Sequence, residues 1–232
     1  MKRFARLTPK ERVQRFWEED RGLSILLVII AVISFVVAPL AESRRGGGTV
    51  LRACVTLMFA YGAFVLSSRR RARLVIALLT AVPIGLAWLE EFHPGPSWSA
   101  AAAAASCLFT LMLATLIIRR VFREGPITIH RVVGSIVVYM MLGIAFGEAA
   151  RFIAILDPQA YSSANFAHID RPELYYFSLV TLTTVGYGDI TPLHPMARSL
   201  AVLEALTGQL FPAILIARLV SQELMSRPSR KD

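Results

Sequence analysis

Long apolar runs separated by short polar or basic breaks dominate this chain. A helix of about twenty apolar residues spans a bilayer. Six runs approach that length, at about 22–41, 50–67, 73–90, 98–118, 131–154 and 196–220. The run at 50–67 is the weakest, being short and carrying Arg52 near its start. Between the last two runs, Leu174 to Thr184 reads as a shorter, half-buried helix. The pattern predicts an all-α membrane protein with six transmembrane helices. Ahead of them, residues 1–21 hold a helix start: Thr8 as N-cap, Pro9 at the first helical position and Glu11 completing a capping box. Val13, Phe16 and Trp17 share a side of that helix, beside Arg12 and Arg15, which predicts an interfacial helix on the inner leaflet. The first apolar run is long enough to span, so no cleaved leader is expected.

Composition agrees, with 55% hydrophobic residues and a net charge of +9. Such a charge could suggest nucleic acid in a soluble protein, but its distribution argues otherwise. Seven Lys and Arg precede the first run, and four each lie at 69–73, at 119–131 and from Arg218 onward. The alternate breaks hold only Arg44, Arg45, Arg52, Arg151, Arg171 and Arg198. The 19 against 6 places both termini in the cytoplasm by the positive-inside rule, in a multi-pass protein of the plasma membrane with no nucleic-acid partner. Arg69, Arg70, Arg71 and Arg73 could also hold anionic lipid headgroups, or simply form a solvated inner loop. Cys54 and Cys107 fall inside apolar runs, and no disulfide is expected. His93, His130, His168 and His194 lack metal-ligand spacing, and no catalytic constellation appears, so an enzyme is not expected.

The most specific segment is Thr183-Thr184-Val185-Gly186-Tyr187-Gly188-Asp189. Glycines on both sides of Tyr187 open backbone conformations closed to other residues, and successive carbonyls can then face one way. Ile190-Thr191-Pro192 turns the chain outward, and a long apolar helix follows. From about residue 127 to 222 the chain resembles the pore unit of tetrameric potassium channels. The resemblance implies an outer helix, a re-entrant pore helix, a selectivity-filter loop and an inner helix, with three identical subunits as partners in a homotetramer. Four filters around one axis would bind dehydrated K+ in stacked oxygen cages at Thr184, Val185, Gly186 and Tyr187, with Gly188 completing the filter. Thr183, Asp189 and Glu204 would support it. K+ is the bound ion, and no other cofactor is expected.

Residues 22–120 occupy the place of a voltage-sensor domain, yet the fourth run lacks gating charge. It reads Trp98, Ser99, six alanines from Ala100 to Ala105, and then Ser106 to Ile118. Each sensor charge would be worth about 2.3 kcal/mol per 100 mV. The alanines suit close helix packing instead. In the fifth run, Gly143 and Gly147 form a GxxxG pattern expected to pack on the inner helix, and Glu148 and Arg151 can pair or stand separately. Residues 157–172 are expected to form a polar outer turret.

In the last run, Gly208 lies roughly 20 Å along the helix from Pro195, near mid-membrane. Pro212 removes the hydrogen bond to the Gly208 carbonyl, so a bend is expected on that turn. Ala205, Gln209, Pro212, Ile216 and Val220 fall along one side, which by resemblance lines the cavity and gate. Glu204 points roughly 140° away from Gln209, toward the pore helix, with Ser178 and Thr181 as candidate partners. Arg218 is expected to snorkel. The twelve residues after Val220, of which 223–232 would form a short tail, leave no room in this sequence for a cytoplasmic ligand-binding domain. The leading reading is a passive K+-selective channel that is not strongly voltage-gated. The alternative is a non-conducting channel-like subunit. A potassium transporter would carry several filter repeats, and one is present.

Overall fold

The structure is a computed structural model that describes residues 22–42, 47–66, 70–122, 129–163 and 169–226. Helix α1 covers Gly22–Leu40 and continues to Glu42. It is followed by α2 (Gly47–Leu66), α3 (Arg70–Phe92), α4 (Pro96–Val121) and α5 (Ile129–Leu156). A strand β1 (Tyr161–Ser163), a short helix α6 (Arg171–Leu182), a strand β2 (Ile190–Pro192) and the long α7 (Pro195–Ser226) complete the order. Five helices, α1, α3, α4, α5 and α7, are long and apolar enough to cross a membrane. The apolar part of α2, Thr49–Phe64, is shorter. The chain is thus a multi-pass membrane protein whose described elements are helical apart from one small sheet. The interfacial helix expected at 8–17, Arg69 and the tail from 227 lie outside the described residues, as do the side chains of Arg70, Arg71, Arg73 and Val220.

Side-chain contacts set the helix directions. Leu23 at the start of α1, Val121 at the end of α4 and Gly134 near the start of α5 meet at one end. Glu90 of α3, Ser99 of α4 and Arg151 of α5 meet at the other. The main core joins these helices through Leu26, Ile30, Met58, Phe59, Phe109, Leu113, Ile117 and Val138, with Phe59 and Phe109 edge-to-face at 5.0 Å. Ala102 and Ala103 are fully buried, so the alanine run does pack closely. Helix α3 keeps Val75, Leu78 and Val82 exposed, the apolar face a lipid-bathed helix presents. Within α1, Ile33–Val37 is π-helical, and Ala38 N–H bonds to the Ile33 carbonyl. Pro39 explains it: the ring has no N–H to offer Phe35 and crowds its carbonyl, so the helix widens just before it.

The turret holds more order than its polar composition suggests. Strands β1 and β2 pair antiparallel, Tyr161 opposite Pro192 and Ser163 opposite Ile190. A second core of Ala150, Ala160, Tyr161, Leu174, Phe177, Ile190 and Ala197 lies beneath the sheet, where the Tyr161 and Phe177 rings meet at 5.5 Å. Burial pushes the Tyr161 phenol pKa up.

The GxxxG face of α5 packs differently from expectation. A Cβ on Gly143 would stand 2.7 Å from Leu179 Cδ2, and one on Gly147 would overlap the Tyr175 ring. Both neighbours belong to α6, not to the last helix. The reason is steric: without side chains at Gly143 and Gly147, α5 lets Leu179 and Tyr175 of α6 approach its backbone. Gly147→Ala should therefore destabilise the protein by about 1–3 kcal/mol through overpacking. Gly85→Ala in α3, where a Cβ meets nothing within 4 Å, should be neutral or stabilising by up to about 1 kcal/mol. Thermal unfolding of the two variants in detergent checks the contrast.

Candidate functional site

The chemistry-bearing segment hangs between α6 and β2. Helix α6 begins at a capping box, with Asp170 as N-cap, Pro172 in the first turn and the Asp170 N–H donating to Glu173 Oε2 at 3.0 Å. It starts three residues before the expected Leu174, because Asp170-Arg-Pro-Glu173 is itself a helix-start signal. At its C-terminal end the free carbonyls are used. Thr183 N and Thr183 Oγ1 both donate to the Leu179 carbonyl, at 3.0 and 2.7 Å. Thr184 N donates to Thr181 and Val185 N to Val180, at 2.9 and 3.0 Å.

Beyond α6 the backbone alternates in hand. Thr184, Gly186 and Gly188 have φ of 60°, 57° and 79°, and they are the positive-φ residues of the described chain. Glycine takes this conformation freely. Thr184 is β-branched, and holding it there costs of order 1–3 kcal/mol. Val185 and Tyr187 between them are exposed. The exit is tied to the turret, since Leu193 N and His194 N both donate to the Ala160 carbonyl, at 2.8 and 3.2 Å. Arg198 Nε donates to the Pro192 carbonyl at 3.2 Å. Tyr176 bonds to Asp189, and that hydrogen bond with the carboxylate charge raises the phenol pKa. Among the described residues no cluster of His, Cys, Asp or Glu could hold a metal ion.

A polar network anchors the N-terminal half of α6. The Glu148 carboxylate is 1% exposed and accepts from Arg171 and from the Tyr175 hydroxyl, and Arg151 Nη1 lies 3.4 Å from its other oxygen. Arg151 also pairs with Glu90 of α3, to which Ser99 of α4 donates at 2.8 Å. The expected Glu148–Arg151 pair is therefore one link in a chain that reaches from α6 through α5 to α3 and α4. Two carboxylates balance two guanidinium groups. Burial opposes the Arg171 charge, but Glu148 and Tyr175 more than offset it and hold its pKa above the usual range. Burial and the Glu148 charge push the Tyr175 phenol up.

Helix α7 meets α6 on its other side. Of the two hydroxyls expected near Glu204, Ser178 is the one that bonds to it, and Glu204 is 1% exposed. Helix α7 runs unbroken through Gly208 and Pro212. Gly208 has a packing role that its hinge-like position hid: a Cβ there would collide with the Leu182 carbonyl, backbone that cannot swing aside. The same carbonyl accepts from Tyr139 Oη at 3.1 Å. Gln209 and Ile216 are exposed and Pro212 is half-buried, and Val202, Leu206, Leu210 and Ile214 are exposed. Arg218, expected to snorkel, reaches the end of α4. It donates to the Phe122 carbonyl at the end of α4, with its guanidinium 4.4 Å from the Phe122 ring. A cavity of about 730 Å³ separates the π-helical part of α1 from α6, Val185 and Tyr187.

Removing one member of the buried network should leave a charge without compensation. Glu148→Gln should destabilise the protein by about 3–5 kcal/mol. Glu148→Gln combined with Arg171→Gln should cost less than the two single changes added together. Thermal unfolding of the three variants measures that coupling.

Residues 129–223 match the protein family described as "Ion channel". The chain is 30% identical over 92 residues to the mouse potassium voltage-gated channel subfamily A member 10, covering 39% of this chain and 17% of that protein. It is 38% identical over 86 residues to the two pore potassium channel c of Oryza sativa subsp. japonica, covering 37% and 17%. It is 44% identical over 62 residues to Protein LctB of Bacillus caldotenax, covering 25% and 46%. The match spans less than half the length of each relative. No solved structure matches the chain. Residues 129–223 are thus similar to ion channels, and part of the chain is similar to proteins named as potassium channels.

Proposed function

We propose that this protein is a potassium-selective channel that conducts passively through a homotetrameric pore. The observation that carries the reading is the alternating hand of the backbone, with positive φ at Thr184, Gly186 and Gly188. In a strand whose residues alternate between left- and right-handed conformations, successive carbonyls turn to one side. Four such strands around an axis would offer oxygen cages to a dehydrated K+ at Thr184, Val185, Gly186 and Tyr187, with Gly188 closing the outer end. Helix α6 is then the pore helix, and Thr183 and Asp189 hold the two ends of the filter. The similarity to proteins named as potassium channels supports the choice of ion. The exposed apolar face of α7, at Val202, Leu206, Leu210 and Ile214, supports burial against further copies of the chain.

The basic clusters place the termini and the 119–131 break in the cytoplasm, so the filter enters from outside the plasma membrane. Arg69, Arg70, Arg71 and Arg73 then face the inner leaflet and its anionic lipids. Gln209 lines the cavity, and apolar rings at Ile216 and Val220 form the inner gate, with the turn from Gly208 to Pro212 as its flexible point. Helices α1–α4 form a voltage-sensor-like domain without gating charge.

Protein reconstituted in liposomes should pass K+ and Rb+, largely exclude Na+, and be blocked by Ba2+. Gly186→Asp should abolish the flux without preventing assembly, because its backbone sits at φ 57° and a charged side chain would face three copies of itself. Equal Na+ and K+ flux would overturn the reading. Absence of flux from a correctly assembled protein would favour a non-conducting channel-like subunit.

Open probability should change only shallowly across about ±100 mV, since α4 carries no charge between Trp98 and Ile118 to move through the field. Planar-bilayer recording tests this, and a steep curve worth several charges per subunit would refute it.

A further inference from the structure

Ser178 sits between two oxygens. Its Oγ lies 2.6 Å from the carbonyl of Gly143 on α5 and within hydrogen-bond distance of Glu204 Oε1 on α7. A serine hydroxyl carries one proton. A carbonyl and an ionised carboxylate are both acceptors, so that single proton could serve only one of them. The other contact would then set two lone pairs against each other in a buried place, which carries the full cost of an unmade hydrogen bond. A second proton in the line removes the conflict: Glu204 donates to Ser178, and Ser178 donates to Gly143.

The surroundings agree. Ser178 is fully buried and Glu204 nearly so. No cation faces Glu204 from any element packed against it, among the described residues. From α5 and β1 the titratable groups within electrostatic reach are the phenols of Tyr139 and Tyr161. On α6, Tyr175 and Arg171 are engaged with Glu148, and Arg151 of α5 is shared between Glu148 and Glu90. An ionised Glu204 would be a buried charge with no partner of opposite sign.

We propose that Glu204 is a neutral carboxylic acid that donates to Ser178, and that this proton positions the pore helix by pinning α6 between α5 and α7. The inference rests on the channel reading for its consequence, though not for the place of the proton. Deprotonation breaks the line from Glu204 to Gly143 and leaves an unpaired anion beside the helix that carries the filter. Conduction therefore falls reversibly as pH rises into the alkaline range.

Two measurements on the full-length protein test it. The first is the infrared difference spectrum of wild type against Glu204→Gln at neutral pH. It should contain the carbonyl stretch of a protonated carboxylic acid, and that band should fade at alkaline pH. The second is K+ flux from liposomes across pH. Wild type should lose about tenfold between neutral and alkaline pH, on the scale of one charged or neutral hydrogen bond. Glu204→Gln keeps a donor that cannot ionise, so it should rescue flux and flatten the profile. Glu204→Ala should be low at every pH. A carboxylate spectrum at neutral pH, or a Glu204→Gln profile that still falls with pH, would overturn the proposal. Flux absent from all variants would instead remove the channel reading, and the infrared band would still decide where the proton lies.

Discussion

The close seating of α6 against α5 is the constraint on which the rest depends. A helix of twelve residues is marginal by itself in water and gains its stability from what it packs against. Here its anchors are spaced along its length. The capping box fixes the start, Glu148 holds Arg171 and Tyr175 in the first turns, Ser178 bonds to Gly143 at the middle, and Tyr139 takes the Leu182 carbonyl at the end. All but the first of these partners stand on α5. Two missing side chains, at Gly143 and Gly147, let the helices come near enough for those bonds to form. Stabilisation of the strained Thr184 follows from this anchoring, because a φ of 60° on a β-branched residue persists only where its neighbours leave no alternative.

Helix α7 closes α6 from the other side by the same means. Gly208 gives up its side chain to the Leu182 carbonyl, while Glu204, one turn earlier, meets Ser178. Both contacts lie on the turns just before the Pro212 break in the hydrogen-bond ladder. In the proposed channel, a bend of α7 at Pro212 would load the base of the proposed filter through the Gly208–Leu182 contact, so the proposed gate and the proposed filter share one joint.

The sequence made the periodic features legible and hid the pairings. Apolar runs located α1, α3, α4, α5 and α7 because burial in lipid needs only length and hydropathy. The run with Arg52 is the one that came out short of a span. The proposed filter segment is legible because its glycines occur where φ turns positive, at Gly186 and Gly188, although nothing marks Thr184 as a third such residue. The partner of the GxxxG face was not legible, since small residues state that something approaches and not which helix it is. Glu148 and Arg151 are three residues apart and could be paired from spacing, whereas Arg171 and Glu90 lie far away in sequence and join them only through the fold. Asp170-Arg-Pro-Glu173 is a capping-box signal that the sequence does carry, and it marks the start of α6. Tyr161 opposite Pro192 could not be read, because three-residue strands carry too little alternation to stand out.

Helices α1 to α4 lack gating charge, yet they are fastened to the C-terminal half at both membrane faces. At the end where α6 starts, Glu90 and Ser99 join Arg151 and through Glu148 reach α6. At the opposite end, Arg218 of α7 is held by the Phe122 carbonyl and ring. A guanidinium is well suited to that place, since the last carbonyls of a helix are unpaired and carry partial negative charge. Between the two ends, Phe211 of α7 packs against the main core and lies 5.9 Å from the Tyr139 ring. Helices α1 to α4 are thus coupled to α6 and α7 through side-chain pairs at both ends, whereas α4 carries no charge between Trp98 and Ile118 on which a transmembrane field could act.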